Sequence, residues 1–218
     1  MIFVKDYGQM CNNILQYAHA YVWGKANGVR VLSMRFSYRY RYFNVADLPG
    51  HRLGTYLYAK LLIKSHLVKC YFLDDPKDIT SEVIDELKKS KLIAIDGWHF
   101  RFPKLFLEYR EELKELFTIK PKFLKNIQPY MAERMQGADI TLAVHIRRGD
   151  YKRWMGGQYF FGDEVYIDYI RQFLSLFPEK KIAVFICTND PKLDIEVYKE
   201  ALKIDSIYLP KGDEVEDL

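Results

Sequence analysis

The chain has 218 residues, of which 49% are hydrophobic and 28% charged, so it can bury a sizeable core in one domain or in two small ones. Its formal net charge of +4 favours anionic ligands or an anionic membrane surface, but falls short of the strong positive charge of a nucleic-acid-binding domain. Three widely separated cysteines support neither a zinc site nor a disulfide framework, and no apolar run is long enough to span a bilayer.

The N-terminal part of the sequence predicts a βαβ unit, which is typical of a parallel sheet. A short apolar strand occupies residues 2–4. Asn12 or Asn13 is then predicted to cap a helix that ends at Gly28, and residues 29–32 form the next strand.

Residues 34–44 interleave arginines with aromatic side chains. An edge strand with one basic face would give this alternation, and so would a loop that faces an acceptor or a membrane surface. An ordinary surface segment without a ligand is the interpretation that we favour. Interleaved arginine and aromatic residues also fit nucleic-acid binding, but the modest net charge argues against it, and we expect no nucleic-acid partner.

The sequence up to the prolines at 121 and 129 completes a first α/β domain. Its other predicted elements are helices at residues 53–68, 80–89 and 105–117 and a buried strand at residues 92–95. In the last of these helices Leu107 and Leu113 are predicted to face the core. Pro121 and Pro129 bracket a predicted hinge, so we expect an N-terminal domain at residues 1–125 and a second domain at residues 126–218.

The second domain shows a regular alternation of strands and helices. Strands are predicted at residues 140–146, 182–187 and 207–209, and helices at residues 164–176 and from Pro191 to about residue 202. The first strand is almost entirely apolar, as in a sheet covered on both faces. This pattern predicts a Rossmann-like unit. Because such a unit usually contains more strands, we expect the second domain to be incomplete and the sequence to be truncated.

The segment HIRRGDY, residues 145–151, follows the first strand of this second unit. In open α/β sheets, ligands bind beyond the carboxyl ends of the strands. An arginine fork matches a phosphate group, and Gly149 lets the backbone approach a ligand closely. Since side chains alternate along a strand, Arg147 and Arg148 should point in opposite directions, one toward phosphate and the other into the protein. A salt bridge that merely caps the strand would use the same residues.

Other nucleotide and hydrolase motifs are missing from the sequence. It contains no GxxxxGK[ST] loop, no GxGxxG, no GxSxG and no HExxH. Near HIRRGDY there is also no Asp-x-Asp pair or His cluster with the spacing of metal ligands. We therefore expect activity that needs neither a metal ion nor a cofactor.

HIRRGDY resembles the first signature of the α-1,2-fucosyltransferase family. Residues 8–18, GQMCNNILQYA, are similar to the N-terminal segment of that family, and residues 96–100 and 110–117, DGWHF and REELKELF, resemble its central stretch. The resemblance implies a GT-B type fold, with two Rossmann-like units facing a cleft. It also implies a GDP-fucose donor, a glycan acceptor and inversion at the anomeric carbon. On this resemblance, residues 126–218 would form the nucleotide-sugar domain and residues 1–125 would lie on the acceptor side.

The resemblance also assigns roles to residues. Arg147 would contact the donor β-phosphate, and with Asp150 it forms the predicted catalytic pair. The predicted substrate-binding residues are Asn12, Asn13, His145, Arg148, Tyr151, Asn189 and Asp190. The sequence departs from the family pattern at Cys11, where glycine is usual, and at Asn13, where glutamine is usual. The last motif of the family is absent from the sequence.

Two other functions compete with transfer of fucose. One is a transferase of the same fold that uses another sugar nucleotide, and the other is a non-catalytic module that binds a nucleotide or glycan. Residues 1–5 are too short for a signal-peptide core. We therefore expect a cytoplasmic protein, with peripheral contact at the inner face of the membrane as a further hypothesis.

Overall fold

A computed structural model describes residues 1–5, 7–125 and 127–209 of the chain. The chain divides into two compact units, Met1–Lys120 and Pro121–Leu218. The boundary predicted from the sequence, after residue 125, lies five residues further along the chain. Each unit has its own parallel sheet, which confirms the predicted α/β class. Within the described residues, no helix combines the length and the apolar character needed to cross a bilayer.

The first unit is built on a sheet of four parallel strands in the order β2-β1-β4-β3. Its strands are β1 (Ile2–Val4), β2 (Val31–Ser33), β3 (Cys70–Phe72) and β4 (Ile93–Asp96). Its helices are α1 (Met10–Ala26), α2 (Leu53–Lys64), α3 (Ser81–Lys89), α4 (Pro103–Glu108) and α5 (Arg110–Leu116). The short strand β3 was not predicted from the sequence.

The sheet of the first unit is covered on both faces. Ile2 and Val4 point to the face where α1 packs through Tyr17 and Trp23, and all four side chains are buried in one cluster. Phe3 points to the opposite face, where a second cluster includes Ala59 of α2. This alternation of neighbouring side chains makes even a three-residue strand apolar throughout.

The start of α1 differs from the prediction. The helix begins at Met10 with Gln9 as its N-cap residue, and no side chain caps it. Neither Asn12 nor Asn13 is therefore the cap; both lie inside the first turn. The end of the helix agrees with the prediction, since Gly28 follows it with a positive φ of 65°.

Residues 34–44 do not form an edge strand. They fold as turns, and Phe36, Tyr40 and Phe43 are buried in the core of the first unit. The guanidinium of Arg39 lies 5.3 Å from the centre of the Tyr40 ring. The alternation in sequence therefore places aromatic rings inside and cations over ring faces, not a basic strand face outside.

The prediction of a single helix at residues 105–117 is wrong. The segment forms two helices, α4 and α5, which meet at Tyr109, and Leu107 is 70% exposed instead of buried. The boundary between the two units falls at Pro121, where the predicted hinge begins, and Pro129 lies in the first turn of a helix (Ile127–Met135). Proline fits there because the amides of a first helical turn have no partner within the helix.

The second unit has a sheet of three parallel strands in the order β5-β6-β7. Its strands are β5 (Ile140–Ile146), β6 (Ile182–Thr188) and β7 (Ile207–Tyr208), and its helices are α6 (Ile127–Met135), α7 (Asp163–Leu176) and α8 (Ile195–Leu202). Its core gathers Ile146, Ile170, Ile186 and Tyr198. Helix α8 was predicted to begin at Pro191. It begins at Ile195 instead, and the Asp194 side chain caps it.

Strand β5 was predicted to be covered on both faces, and this prediction is wrong. Thr141, Ala143 and His145 are exposed along one face, whereas Ile146 is buried. β5 lies at the edge of the described sheet, and the central strand β6 is the one buried on both faces. Thr141 and Ala143 are small residues at exposed positions of β5, and they made its sequence resemble that of a strand buried on both faces.

Candidate functional site

The carboxyl ends of β5 and β6 lie side by side. The parallel register pairs Ile146 with Thr188, so the residues that follow each strand meet at one edge of the sheet. There the Asn189 Oδ1 accepts hydrogen bonds from the backbone amides of Arg148 (2.8 Å) and Gly149 (3.2 Å). A Cβ on Gly149 would approach the Asn189 Nδ2 to 2.8 Å, so a side chain at this position would displace the asparagine. Asn189 thus fixes the backbone of the arginine segment.

Arg148 is buried, with 6% of its surface exposed, and it is held by several partners. Its Nη2 donates to the Asp163 Oδ1 at 2.6 Å, and its Nε donates to the Phe161 carbonyl at 3.0 Å. The Asp190 carboxylate lies 3.6 Å from its Nη1. The Tyr198 hydroxyl donates to the same Asp163 oxygen at 2.5 Å. Arg148 therefore ties the strand end to α7 and α8.

Both members of this pair, the buried Arg148 and the half-buried Asp163, keep their charge. Burial lowers the pKa of Arg148, but the hydrogen bond to Asp163 and the negative charges of Asp163 and Asp190 together outweigh it, so the pKa lies above the usual value. Burial likewise raises the pKa of Asp163, but the hydrogen bonds from Tyr198 and Arg148 outweigh it, so the pKa lies below the usual value. A buried ion pair with satisfied hydrogen bonds specifies geometry, and its separation leaves an uncompensated charge.

Arg147 points the other way, and its side chain is 38% exposed. It pairs with Asp150 through two hydrogen bonds, from Nη2 at 2.8 Å and from Nε at 3.3 Å. The guanidinium also lies 4.7 Å from the centre of the Tyr151 ring. The hydrogen bond from Arg147 lowers the pKa of Asp150, so this carboxylate is ionised and orients the guanidinium.

An exposed aromatic cluster continues from Tyr151. Its ring stacks on Trp154, with centroids 5.3 Å apart and planes 19° apart, and Trp154 contacts Tyr159 at 5.0 Å. The backbone between them is unusual, because Met155 has a φ of 47° in a region that favours glycine. The sequence reasoning overlooked Trp154 and Tyr159, although aromatic and glycine residues directly after a ligand-binding motif are a usable signal.

The other predicted residues of this unit are placed as follows. His145 lies on the exposed face of β5, and Asp190 faces the Arg148 guanidinium. The structure thus brings together Arg147, Arg148, Asp150, Tyr151, Asn189 and Asp190 at one sheet edge. In the described part of the chain, no three His, Cys, Asp or Glu side chains are grouped to hold a metal ion, and metal independence stays a prediction.

Asn12 and Asn13 belong to the first unit. Asn13 is buried, and its Nδ2 donates to the carbonyls of Gln9 (2.7 Å) and Gly8 (3.2 Å) while its Oδ1 accepts from the Tyr7 amide (3.1 Å). The half-buried Asn12 side chain packs against Gly8. Asn13 therefore stabilises the turn between β1 and α1.

Arg101 is a feature of the first unit that the sequence reasoning missed. It follows β4 and lies 4.1 Å from the centre of the Trp98 ring, but its Nη1 and Nη2 are buried without a hydrogen-bond partner among the described residues. Burial lowers its pKa. The neighbouring His19 accepts a hydrogen bond from the Phe102 amide, and burial together with the Arg101 charge lowers the pKa of His19 to about 4. An arginine soon after the carboxyl end of a parallel strand was the available signal.

The chain is an α/β protein of parallel sheets, and its arginine pair lies at the carboxyl ends of two strands, the edge where such sheets bind their ligands. The sequence model of glycosyl transferase family 11 matches residues 77–211, a range that contains the whole arginine segment, and the chain belongs to that family. No curated protein matches the chain.

A solved structure shares the fold. It is a mutant of Arabidopsis thaliana FUT1 in complex with GDP, and it superposes with a TM-score of 0.57 over 95% of this chain at 13% sequence identity. The chain spans 58% of the length of that protein. This likeness supports the predicted GT-B type of the α/β class.

Proposed function

We propose that this chain acts as a metal-independent glycosyltransferase that moves fucose from GDP-fucose to a glycan hydroxyl, in an α-1,2 linkage and with inversion. Membership of glycosyl transferase family 11 supports a transferase, and the fold shared with a GDP-bound FUT1 supports GDP as the nucleotide. The observation that carries the proposal is the split arginine pair, in which Arg148 is buried by ion pairs while Arg147 faces outward beside Asp150.

In the proposed complex the exposed Arg147 guanidinium donates to the β-phosphate of the donor. Fucose transfer breaks the bond between the anomeric carbon and the diphosphate oxygen, and negative charge develops on the leaving GDP. A preorganised guanidinium stabilises that charge, and it stays protonated at any working pH. Arg148 does not touch the donor in this scheme; it fixes the backbone from which Arg147 projects.

Asp150 is the proposed general base. While it is paired with Arg147 its pKa is low, which makes it a poor proton acceptor. A diphosphate that takes over the Arg147 guanidinium removes this partner and adds negative charge nearby, and both effects raise the pKa of Asp150. The Asp150 carboxylate then accepts the proton of the acceptor hydroxyl. The hydroxyl oxygen attacks the anomeric carbon from the side opposite the leaving GDP.

The stacked rings of Tyr151, Trp154 and Tyr159 are proposed to contact the sugar or the guanine base. They are contiguous with Arg147, and Trp154 and Tyr159 are exposed. Aromatic faces pack well on apolar sugar faces and on bases. Trp154→Ala should therefore weaken donor binding without changing the melting temperature.

A thermal-shift panel with GDP, UDP and CMP tests the proposal. A nucleotide that binds only the folded chain raises its melting temperature, by about 5 °C or more at a hundredfold excess over its Kd. We expect GDP to give the largest shift, and we expect hydrolysis or transfer of GDP-fucose that persists in the presence of a chelator. A larger shift with UDP or CMP would identify another donor. A GDP shift without any turnover would identify a binding module.

A further inference from the structure

Helix α2 exposes an apolar stripe to solvent. Leu53, Leu57 and Leu61 are 58%, 54% and 64% exposed, and their spacing of four residues puts them on one side of the helix. Tyr58 is exposed beside them. The helix already satisfies its packing through its opposite side, where Ala59 is buried against the sheet. The core therefore does not explain the leucines, since the solvent side of a surface helix is normally polar.

Cations border this stripe. Arg52, Lys60 and Lys64 are exposed, and none of them forms an ion pair with a described residue. The sequence from residue 48 to residue 73 contains no aspartate or glutamate. The surface of α2 thus combines exposed leucines with uncompensated positive charge, and the exposed Leu67 extends it just past the end of the helix.

The combination favours one kind of partner. An anionic bilayer offers acyl chains to the leucines and acidic headgroups to the cations that flank them. A second copy of the chain, docked through the same surface, would bring two sets of cations into one interface without an acidic residue of this segment to offset them, and like charges repel. Charge complementarity therefore argues for a lipid surface over self-association.

We propose that the α2 surface, formed by Arg52, Leu53, Leu57, Tyr58, Lys60, Leu61, Lys64 and Leu67, docks the chain on an anionic membrane. It replaces residues 34–44 as the membrane-facing segment, because Phe36, Tyr40 and Phe43 of that segment are buried in the core. The proposal does not depend on fucose transfer, since membrane binding requires no donor and no turnover.

Vesicle flotation tests the proposal with the 218-residue chain. We expect it to float with vesicles of phosphatidylcholine mixed with phosphatidylglycerol, but not with phosphatidylcholine alone, and to be released by salt. Leu57→Ser combined with Leu61→Ser should weaken binding by about tenfold or more, because two apolar anchors are lost. Lys60→Gln combined with Lys64→Gln should weaken binding to a similar degree and reduce its salt dependence.

Leu107→Ser combined with Leu176→Ser is the matched control. Both leucines are 70% exposed but lie on other helices, so this variant should float as the unchanged chain does. All variants change exposed side chains and should keep the melting temperature. The proposal is wrong if the unchanged chain fails to float, or if the control loses as much binding as the α2 variants. It is equally wrong if the α2 leucines are needed for a dimer in sedimentation experiments and not for vesicle binding.

Discussion

The two sheets each place an arginine near their carboxyl ends, and the two arginines are in opposite situations. In the second unit Arg148 is buried among hydrogen-bond acceptors, with Asp163 at 2.6 Å. In the first unit the terminal nitrogens of Arg101 are also buried, but they have an aromatic face beside them and no acceptor within the described part of the chain. Burial of a charge is tolerated where partners replace water, and it is costly where they do not. The comparison identifies Arg148 as part of the scaffold of its unit and Arg101 as a residue that its own unit leaves unsatisfied.

The buried histidines extend the comparison. His51 of the first unit is almost fully buried, and its Nε2 accepts a hydrogen bond from the Ser33 amide at the end of β2. Burial lowers the pKa of His51 to about 4, so it is neutral. The first unit therefore contains groups that must stay uncharged, whereas the second unit is held by a pair that must stay charged.

Separating the Arg148 pair should have the largest effect on stability. Asp163→Ala leaves the Arg148 guanidinium buried with only the more distant Asp190 as a charged partner, so we expect a loss of about 3 kcal/mol in the free energy of unfolding. Arg148→Ala should also destabilise the chain. Chemical denaturation measures both. Asp168→Ala, which removes an exposed carboxylate from the same helix α7, should change little. If Asp163→Ala lowers the free energy of unfolding no more than Asp168→Ala does, the pair of Arg148 and Asp163 is no more stabilising than an exposed ion pair.

Acid should distinguish the two units next. His51 has a folded pKa of about 4, below its ordinary value near 6.5. The contribution of neutral His51 to the free energy of unfolding is therefore complete above pH ~6.5. It is lost as the pH falls toward 4, by an amount on the order of 3 kcal/mol. His19 acts in the same direction. The pKa of Asp163 is depressed below its ordinary value of 3.8, so its contribution persists through this range.

Hydrogen exchange at a series of pH values measures this difference. Between pH ~6.5 and ~4 we expect amides of the first unit, around Ser33 above all, to lose protection before those of β5 and β6. His51→Gln, which cannot titrate, should flatten this pH dependence even if it lowers stability at neutral pH. If β5 and β6 lose protection first, the assignment of acid sensitivity to the first unit is wrong.

Much of the fold and of the arginine site could be predicted from the sequence, because the sequence patterns that indicate them are local. The apolar strands and the position of HIRRGDY after β5 follow from residue patterns over a few positions. Other features depend on contacts between distant residues. Residues 34–44 look like a basic surface until Tyr17 and Phe117 are seen packing on Phe36. The apolar side of α2 likewise reads as core, and only the fold shows that it faces solvent.

Replacement of Arg101 should have the smallest effect on stability, and this effect should be neutral or stabilising. Arg101→Met keeps an apolar contact with Trp98 and removes a desolvated charge, so stability should stay unchanged or rise by about 1 kcal/mol. The pKa of His19 should rise, because the Arg101 charge helps to lower it. NMR titration of His19 and chemical denaturation measure the two effects. A strong destabilisation by Arg101→Met would show that the guanidinium has a stabilising partner, and the comparison with Arg148 would then fail.

Calorimetric titration with GDP tests the central claim, that Arg147 holds the donor diphosphate, most directly. We expect Arg147→Ala to weaken GDP binding by about tenfold or more, since a charge-assisted contact is lost, while the melting temperature stays constant because the side chain is exposed. Arg147→Lys should recover only part of the affinity, because lysine lacks the planar fork. Arg171→Ala, which removes an exposed arginine of α7, should bind GDP as the unchanged chain does. Full GDP affinity in a folded Arg147→Ala protein would contradict the account.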